Sequence, residues 1–195
     1  MTEFISKYLL EAAQIAKQIP IESIEKTIDL LAELKSQGGR VFILGVGGSA
    51  ANASHAVNDF RKLAEIETYS PTDNVSEITA RTNDEGWKNV FSPWLKTSKL
   101  SSRDCIFILS VGGGDRDRNV SENLCEAVDY AQSVGAKIVG IVGREGGYTA
   151  KFANPIIIIP TVNAEFVTQF TEYFQQIIWH LMVSHPKLKI NSTTW

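Results

Sequence analysis

The chain has 195 residues, 44% of them hydrophobic, and a formal net charge of −3. That length buries a full core within one globular domain over 1–195, and the acidic balance excludes general nucleic-acid binding, which needs a basic face. Two cysteines, Cys105 and Cys125, without a CxxC pair exclude a disulfide framework and point to a reducing cytoplasm. The first 18 residues lack the basic-then-apolar order of a signal peptide, and no apolar run approaches the ~20 residues of a membrane span.

In chain order, residues 2–18 and 21–36 carry apolar side chains at helical spacing. Pro20 separates them, so 1–37 is predicted to be a helical hairpin, closed by Gly38-Gly39, ahead of an α/β core over 38–195. Strands are predicted at 41–44, 67–70, 105–109, 138–142 and 156–159. Helices are predicted between and after them at 50–63, 75–81, 87–96, 121–134 and 164–183. Continuous Val/Ile/Leu strands alternating with helices predict a three-layer α/β/α sandwich around a five-stranded parallel sheet. Ligands of such sheets sit at the C-terminal strand ends, which groups the loops 45–49, 110–117 and 143–147.

Two of these loops are rich in glycine. Gly45-Val46-Gly47-Gly48-Ser49 follows a strand and opens a helix, an arrangement that turns backbone N–H groups and the positive end of the helix dipole toward an anion. Ser110-Val111-Gly112-Gly113-Gly114-Asp115 follows the run CIFIL and allows close backbone approach to a ligand. On the first helix His55 and Asp59 stand at i, i+4, one turn apart on one face. On the last helix Glu172, Gln176 and His180 form a stripe with a spacing of four. Histidines and acids at these spacings are expected to converge, and His55, Asp59, Glu172 and His180 would make a four-ligand N₂O₂ site suited to Zn²⁺. His185 reads as a solvated or packed side chain. YFQQIIWHLMV and part of the N-terminal hairpin are apolar on more than one helical face, which predicts self-association.

G-x-G-G-S after the first strand, Asn83-Asp84 with Gly86, the serine-led loop at Ser110 and a late helix carrying His180 together resemble the sugar-isomerase (SIS) family, and within it the phosphoheptose isomerases. The likeness covers nearly the whole chain. It implies a flavodoxin-like SIS fold, a homotetramer with sites at subunit interfaces, and a phosphorylated sugar substrate, sedoheptulose 7-phosphate interconverting with a heptose 7-phosphate. By the same resemblance Ser49 contacts phosphate with Gly47 and Gly48, and Ser110 opens the phosphate loop with Gly112, Gly113 and Asp115. Asn83 and Asp84 approach substrate hydroxyls, Gln169 replaces an aspartate, and His55 is a zinc ligand. Asp59 stands where the family has a glutamate base, His180 matches the catalytic histidine, and Glu172 replaces a metal-binding glutamine and is a rival base.

The chain departs from the family pattern in the second loop, where hydroxyl residues give way to Val111, Gly112 and Asp115. Asp115 must point away from a dianion or be offset by Arg116 or Arg118. Two further readings remain: a non-catalytic SIS module that binds a sugar phosphate or a protein partner such as a replication initiator, and a dinucleotide-binding domain on Gly45-x-Gly47-x-x-Ala50 with Glu65 or Glu67 at the ribose.

Overall fold

A computed structural model describes residues 2–193; the outermost residues of the expected 1–195 domain, 1, 194 and 195, lie outside the described residues. Helices α1 (Thr2–Gln18) and α2 (Ile21–Ser36) flank Pro20 and form the expected hairpin. The proline has no N–H to continue the first helix, and its carbonyl accepts from the second one. Ile24, Thr27, Ile28, Leu31 and Leu34 of α2 fall on one buried stripe, the i, i+3, i+4, i+7 pattern of an amphipathic helix.

Five strands follow: β1 (Val41–Leu44), β2 (Thr68–Tyr69), β3 (Cys105–Ser110), β4 (Lys137–Val142) and β5 (Ile156–Ile158). All pairings are parallel and the order is β2-β1-β3-β4-β5. Val41 pairs with Thr68 on one side and Cys105 on the other, Ile106 with Ile138, and Gly140 with Ile156. This is the flavodoxin-like strand order, whose ligand crevice lies at the β1/β3 switch point.

The strand residues alternate between two cores, as period-2 geometry requires. Val41, Ile43, Phe107, Leu109, Val139 and Ile141 face α1, α2, α3 (Gly48–Lys62) and α8 (Val167–Ser184). Phe42, Leu44, Ile106, Ile108 and Ile138 face the opposite layer. That layer contains α4 (Val75–Glu85), α5 (Ser92–Thr97) and α6 (Glu122–Ser133). A four-residue helix, α7 (Gly147–Ala150), follows β4.

Three elements depart from the sequence reading. The edge strand β2 shrinks from 67–70 to two residues. The helix expected over 87–96 splits into a 3₁₀ turn at Trp87–Asn89 and the short α5, because Pro93 can occupy only a first helical turn. The last helix opens with a 3₁₀ turn at Ala164–Phe166 before α8 begins. No described helix is long and apolar enough to cross a membrane.

α3 and α8 lie side by side and run in the same direction. Asn52 donates to the Glu172 carbonyl and to Gln175, the His55 ring meets Trp179, and Asp59 meets His180. The two helices therefore carry their functional side chains in register.

Candidate active site

β1 ends at Leu44 and turns through Gly47, whose φ of 64° lies in the left-handed region, into the N-terminus of α3. The glycine loop after β3 packs against the turn after β4. A side chain at Gly113 would place its Cβ 1.9 Å from the Gly146 carbonyl oxygen, so this position, at φ 72°, admits glycine alone. Thr149 fixes the same loop by donating through both its backbone N–H and its Oγ1 to the Gly113 carbonyl, at 2.9 and 2.7 Å.

Between the turns lies a cavity of about 410 Å³, lined by Ser49, Ser110, Gly112, Asp115, Arg118 and Arg144 among others. Both serines are buried. Ser49 Oγ accepts from Gln175 Nε2 at 3.1 Å, and Ser110 Oγ accepts from the Gly113 N–H at 3.0 Å. Each oxygen is engaged by a protein donor, which leaves the hydroxyl proton to give to a ligand.

A second grouping stands further along α3 and α8. One ligand atom each from His55, Asp59 and His180 lies within 4.8 Å of the others. Asp59 Oδ2 is 3.5 Å from His180 Nε2 and 4.0 Å from His55 Nε2. Asp59 is only 6% exposed, and its Oδ1 accepts from Asn58 Nδ2 at 2.8 Å, so Oδ2 is the oxygen turned to the imidazoles. His180 Nδ1 sits 2.9 Å from the Gln176 carbonyl, which can only accept. That contact places the proton on Nδ1 and leaves Nε2 as the lone-pair nitrogen. Partial burial holds the His180 pKa below its ordinary value, outweighing the Gln176 hydrogen bond and the Asp59 charge, which act to raise it. A neutral imidazole is therefore the resting form near neutral pH.

Two imidazole nitrogens and one carboxylate oxygen suit Zn²⁺, and three protein ligands with an open fourth position are the catalytic pattern. Ligands about 2.0–2.1 Å from a tetrahedral ion stand roughly 3.3 Å apart, so the 3.5 Å pair fits as it is, while the 4.0 Å pair and the two imidazoles, whose ligand atoms lie within 4.8 Å, close by side-chain rotation.

Glu172 does not join this group, which corrects the expected four-residue convergence. It precedes His180 by eight residues, about 12 Å along a helix, and its carboxylate instead lies where a Gly48 side chain would stand, 2.3 Å from the position of that Cβ. Asn83 and Asp84 lie exposed in the last turn of α4, bonded to each other at 2.8 Å, and line neither the cavity nor the histidine cluster within the chain. Gln169 is exposed in the first turn of α8 and is likewise outside the cavity. Gly47 and Gly48 form the cradle turn, while Gly112 and Asp115 line the cavity.

Asp115 is offset as the sequence required, and by Arg118: its Oδ2 is 3.2 Å from Arg118 Nε, while its Oδ1 accepts from the Asp117 and Arg118 N–H groups. Arg116 turns away to Glu126 and Asp129. Sequence reasoning passed over Gln175, buried and bridging Asn52 to Ser49, and Arg144 in the cavity wall. Gln175 follows Phe174 on the buried face of α8, a polar residue inside an apolar stripe, which is the signal that identifies it.

Residues 7–143 match the SIS domain family. The chain is 29% identical over 192 residues to the lincomycin biosynthesis protein LmbN of Streptomyces lincolnensis, covering 93% of this chain and 68% of that protein. It is 29% identical over 174 residues to the phosphoheptose isomerase of Syntrophotalea carbinolica, with 85% of each covered. In fold it is similar to the phosphoheptose isomerase GmhA of Neisseria gonorrhoeae, with a TM-score of 0.81 at 23% identity over 94% of this chain and 97% of that one. The strand order, the glycine cradle at the switch point and these likenesses agree: the chain belongs to the SIS domain family, close to its phosphoheptose isomerases.

Proposed function

We propose that this protein is a phosphosugar aldose–ketose isomerase, an intramolecular oxidoreductase that interconverts sedoheptulose 7-phosphate and a heptose 7-phosphate through an enediol. The observation that carries the reading is the convergence of His55, Asp59 and His180 on a helix pair whose N-terminal end opens on the glycine cavity. Likeness to named phosphoheptose isomerases at 29% identity supports it.

In this reading the cavity holds the phosphate through Ser49, Ser110 and the glycine-loop amides. Asp59 Oδ2 takes the proton from the carbon beside the carbonyl and returns it to the neighbouring carbon. His180, neutral with its lone pair on Nε2, moves the proton between the two oxygens. Zinc binding is the alternative use of the same atoms: an ion held by His55, Asp59 and His180 would engage Oδ2 and Nε2 and supply Lewis-acid stabilisation of the developing oxyanion, and the base would then be another group. Glu172, beside Gly48 at the start of α3, is set apart from the proton-handling pair, so the base is assigned to Asp59. The three convergent groups also favour an enzyme over a non-catalytic sugar-phosphate module, which has no use for them.

A homotetramer in the cytoplasm completes the proposal. Its support is the apolar surface of α1 and α8: Leu9 is 63% exposed, Leu10 70% and Ile177 52%.

The test is turnover of sedoheptulose 7-phosphate with and without added zinc. His180→Ala should lower the rate by about 10²–10⁴-fold, the ordinary size of a general acid–base contribution. Activation by zinc would assign the cluster to the metal, and zinc-independent turnover would leave Asp59 as a free base. A folded wild-type protein inactive under both conditions would reject the isomerase reading for this sugar.

A further inference from the structure

We propose that Arg144, assisted by Arg118, reads the phosphate of the substrate, replacing the hydroxyl residues that this chain lacks at Val111, Gly112 and Asp115. The inference deepens the phosphosugar reading and rests on it for the identity of the anion's parent molecule.

A second cavity of about 610 Å³ adjoins the one at the β1/β3 switch point, and Gly112, Asp115, Arg118 and Arg144 line both lobes. Charge distinguishes them. Two guanidinium groups and the Asp115 carboxylate border the first lobe, leaving it one positive charge in excess. Glu145 adds a second carboxylate to the other lobe and brings it to neutrality. The N-terminal turns of α3 and α6 also meet the first lobe, through Ser49 and Ser121, and their dipoles add to the same sign. A dianion therefore belongs in the first lobe, against the arginines.

The backbone around the pair is strained. Arg144, Asn119 and Ser121 all hold φ between 50° and 55°, a left-handed conformation that costs a non-glycine residue of order 1 kcal/mol or more. Strain of this kind persists where the surrounding structure enforces it, and here three instances flank one cavity.

The two arginines differ in readiness. Arg118 is engaged by Asp115 through Nε, and the segment between Asp115 and Val120 is closed by reciprocal backbone hydrogen bonds of 2.8 and 2.9 Å. Arg144 has no ion pair among the described residues, and its guanidinium offers the bidentate fork that matches a phosphate. Asp115 consequently acts as a stand-in anion for Arg118, which a bound phosphate must displace.

Calorimetric titration of the full chain with inorganic phosphate at low salt tests this. Arg144→Gln should weaken phosphate binding at least about tenfold, the loss expected for a charge-assisted hydrogen bond, and Arg144→Lys should restore part of it. Asp115→Asn keeps the Oδ1 acceptor of its loop but releases Arg118, and should tighten phosphate binding by roughly two- to fivefold. Equal affinity in the wild type and in folded Arg144→Gln, with unchanged thermal midpoints, would overturn the proposal, as would a wild type that binds no phosphate. Should Arg144→Gln fail to fold, Arg118→Gln and Asp115→Asn carry the test: no change in either overturns it. Phosphate binding lost with Arg144 in a protein that isomerises no sugar would sink the isomerase reading and leave this one standing.

Discussion

Gly48 and Gly113 both lie against other groups, yet they respond differently to a methyl group. At Gly48 the atoms nearest the new Cβ are the far end of the Glu172 side chain, which can swing aside. Gly48→Ala should therefore change stability by less than about 1 kcal/mol, because alanine is the better helix former and offsets the displacement. The same substitution moves the Glu172 carboxylate off the cradle turn, so a fall in turnover at unchanged melting temperature would identify that carboxylate as part of the substrate end. At Gly113 the obstacle is the Gly146 backbone, and φ is also left-handed. Gly113→Ala should cost about 2–3 kcal/mol, read as a lowered denaturation midpoint at constant slope. The glycine richness of both loops was legible in the sequence. That one glycine clears a carboxylate and the other a carbonyl was not, since each obstacle comes from a residue more than 30 positions away.

At the scale of elements, the starts of β1, β3 and β4 are tied by one residue. Asp104, 2% exposed, accepts from the Arg40 N–H, from Arg40 Nε and Nη2, and from the Ser101 N–H and hydroxyl. Its carbonyl meanwhile takes the Lys137 N–H. Burial alone would raise the Asp104 pKa, but the hydrogen bonds from Arg40 and Ser101 prevail and hold it below the ordinary carboxylate value. The unfolded chain therefore binds this proton at higher pH than the folded one. The contribution is complete above about pH 4 and is lost as pH falls through the folded pKa. Asp104→Ala leaves Arg40 half-buried without its partner and should destabilise by about 3–5 kcal/mol at pH 7, with the gap to wild type narrowing in acid denaturation below pH 4.

The apolar runs of β1, β3 and β4 stood out in the sequence because both sheet faces are covered, and the hairpin because Pro20 interrupts a 3.6-residue period. Pro93 was visible too, yet the apolar pattern across it suggested one helix where backbone chemistry gives two. The candidate site was legible where helical spacing suffices, as for His55 and Asp59. For Glu172 the eight residues that separate it from His180 already fix about 12 Å along a helix, so a shared stripe did not mean a shared site; Arg144 was not legible, because its place depends on where two loops meet.

At the scale of the molecule, α1 and α8 leave Phe4, Leu9, Leu10, Tyr173 and Ile177 in solvent. A second copy covering these faces is the arrangement proposed above. Leu9→Asp and Ile177→Asp should leave the stability of a single chain within about 0.5 kcal/mol while shifting the mass seen by light scattering toward the monomer. An unchanged mass in both variants would place the interface elsewhere.

α3 has one more consequence. It begins at the glycine turn and carries His55 and Asp59 seven and eleven residues later, so about 10–16 Å of rigid helix separates the two ends of the site. A gauge of that length measures the number of carbons between a ligand's charged end and its carbonyl. Three-carbon phosphates should occupy the cavity and inhibit without turning over, and competition assays across triose, pentose and heptose phosphates would show rate climbing with chain length while the inhibition constants stay nearly level.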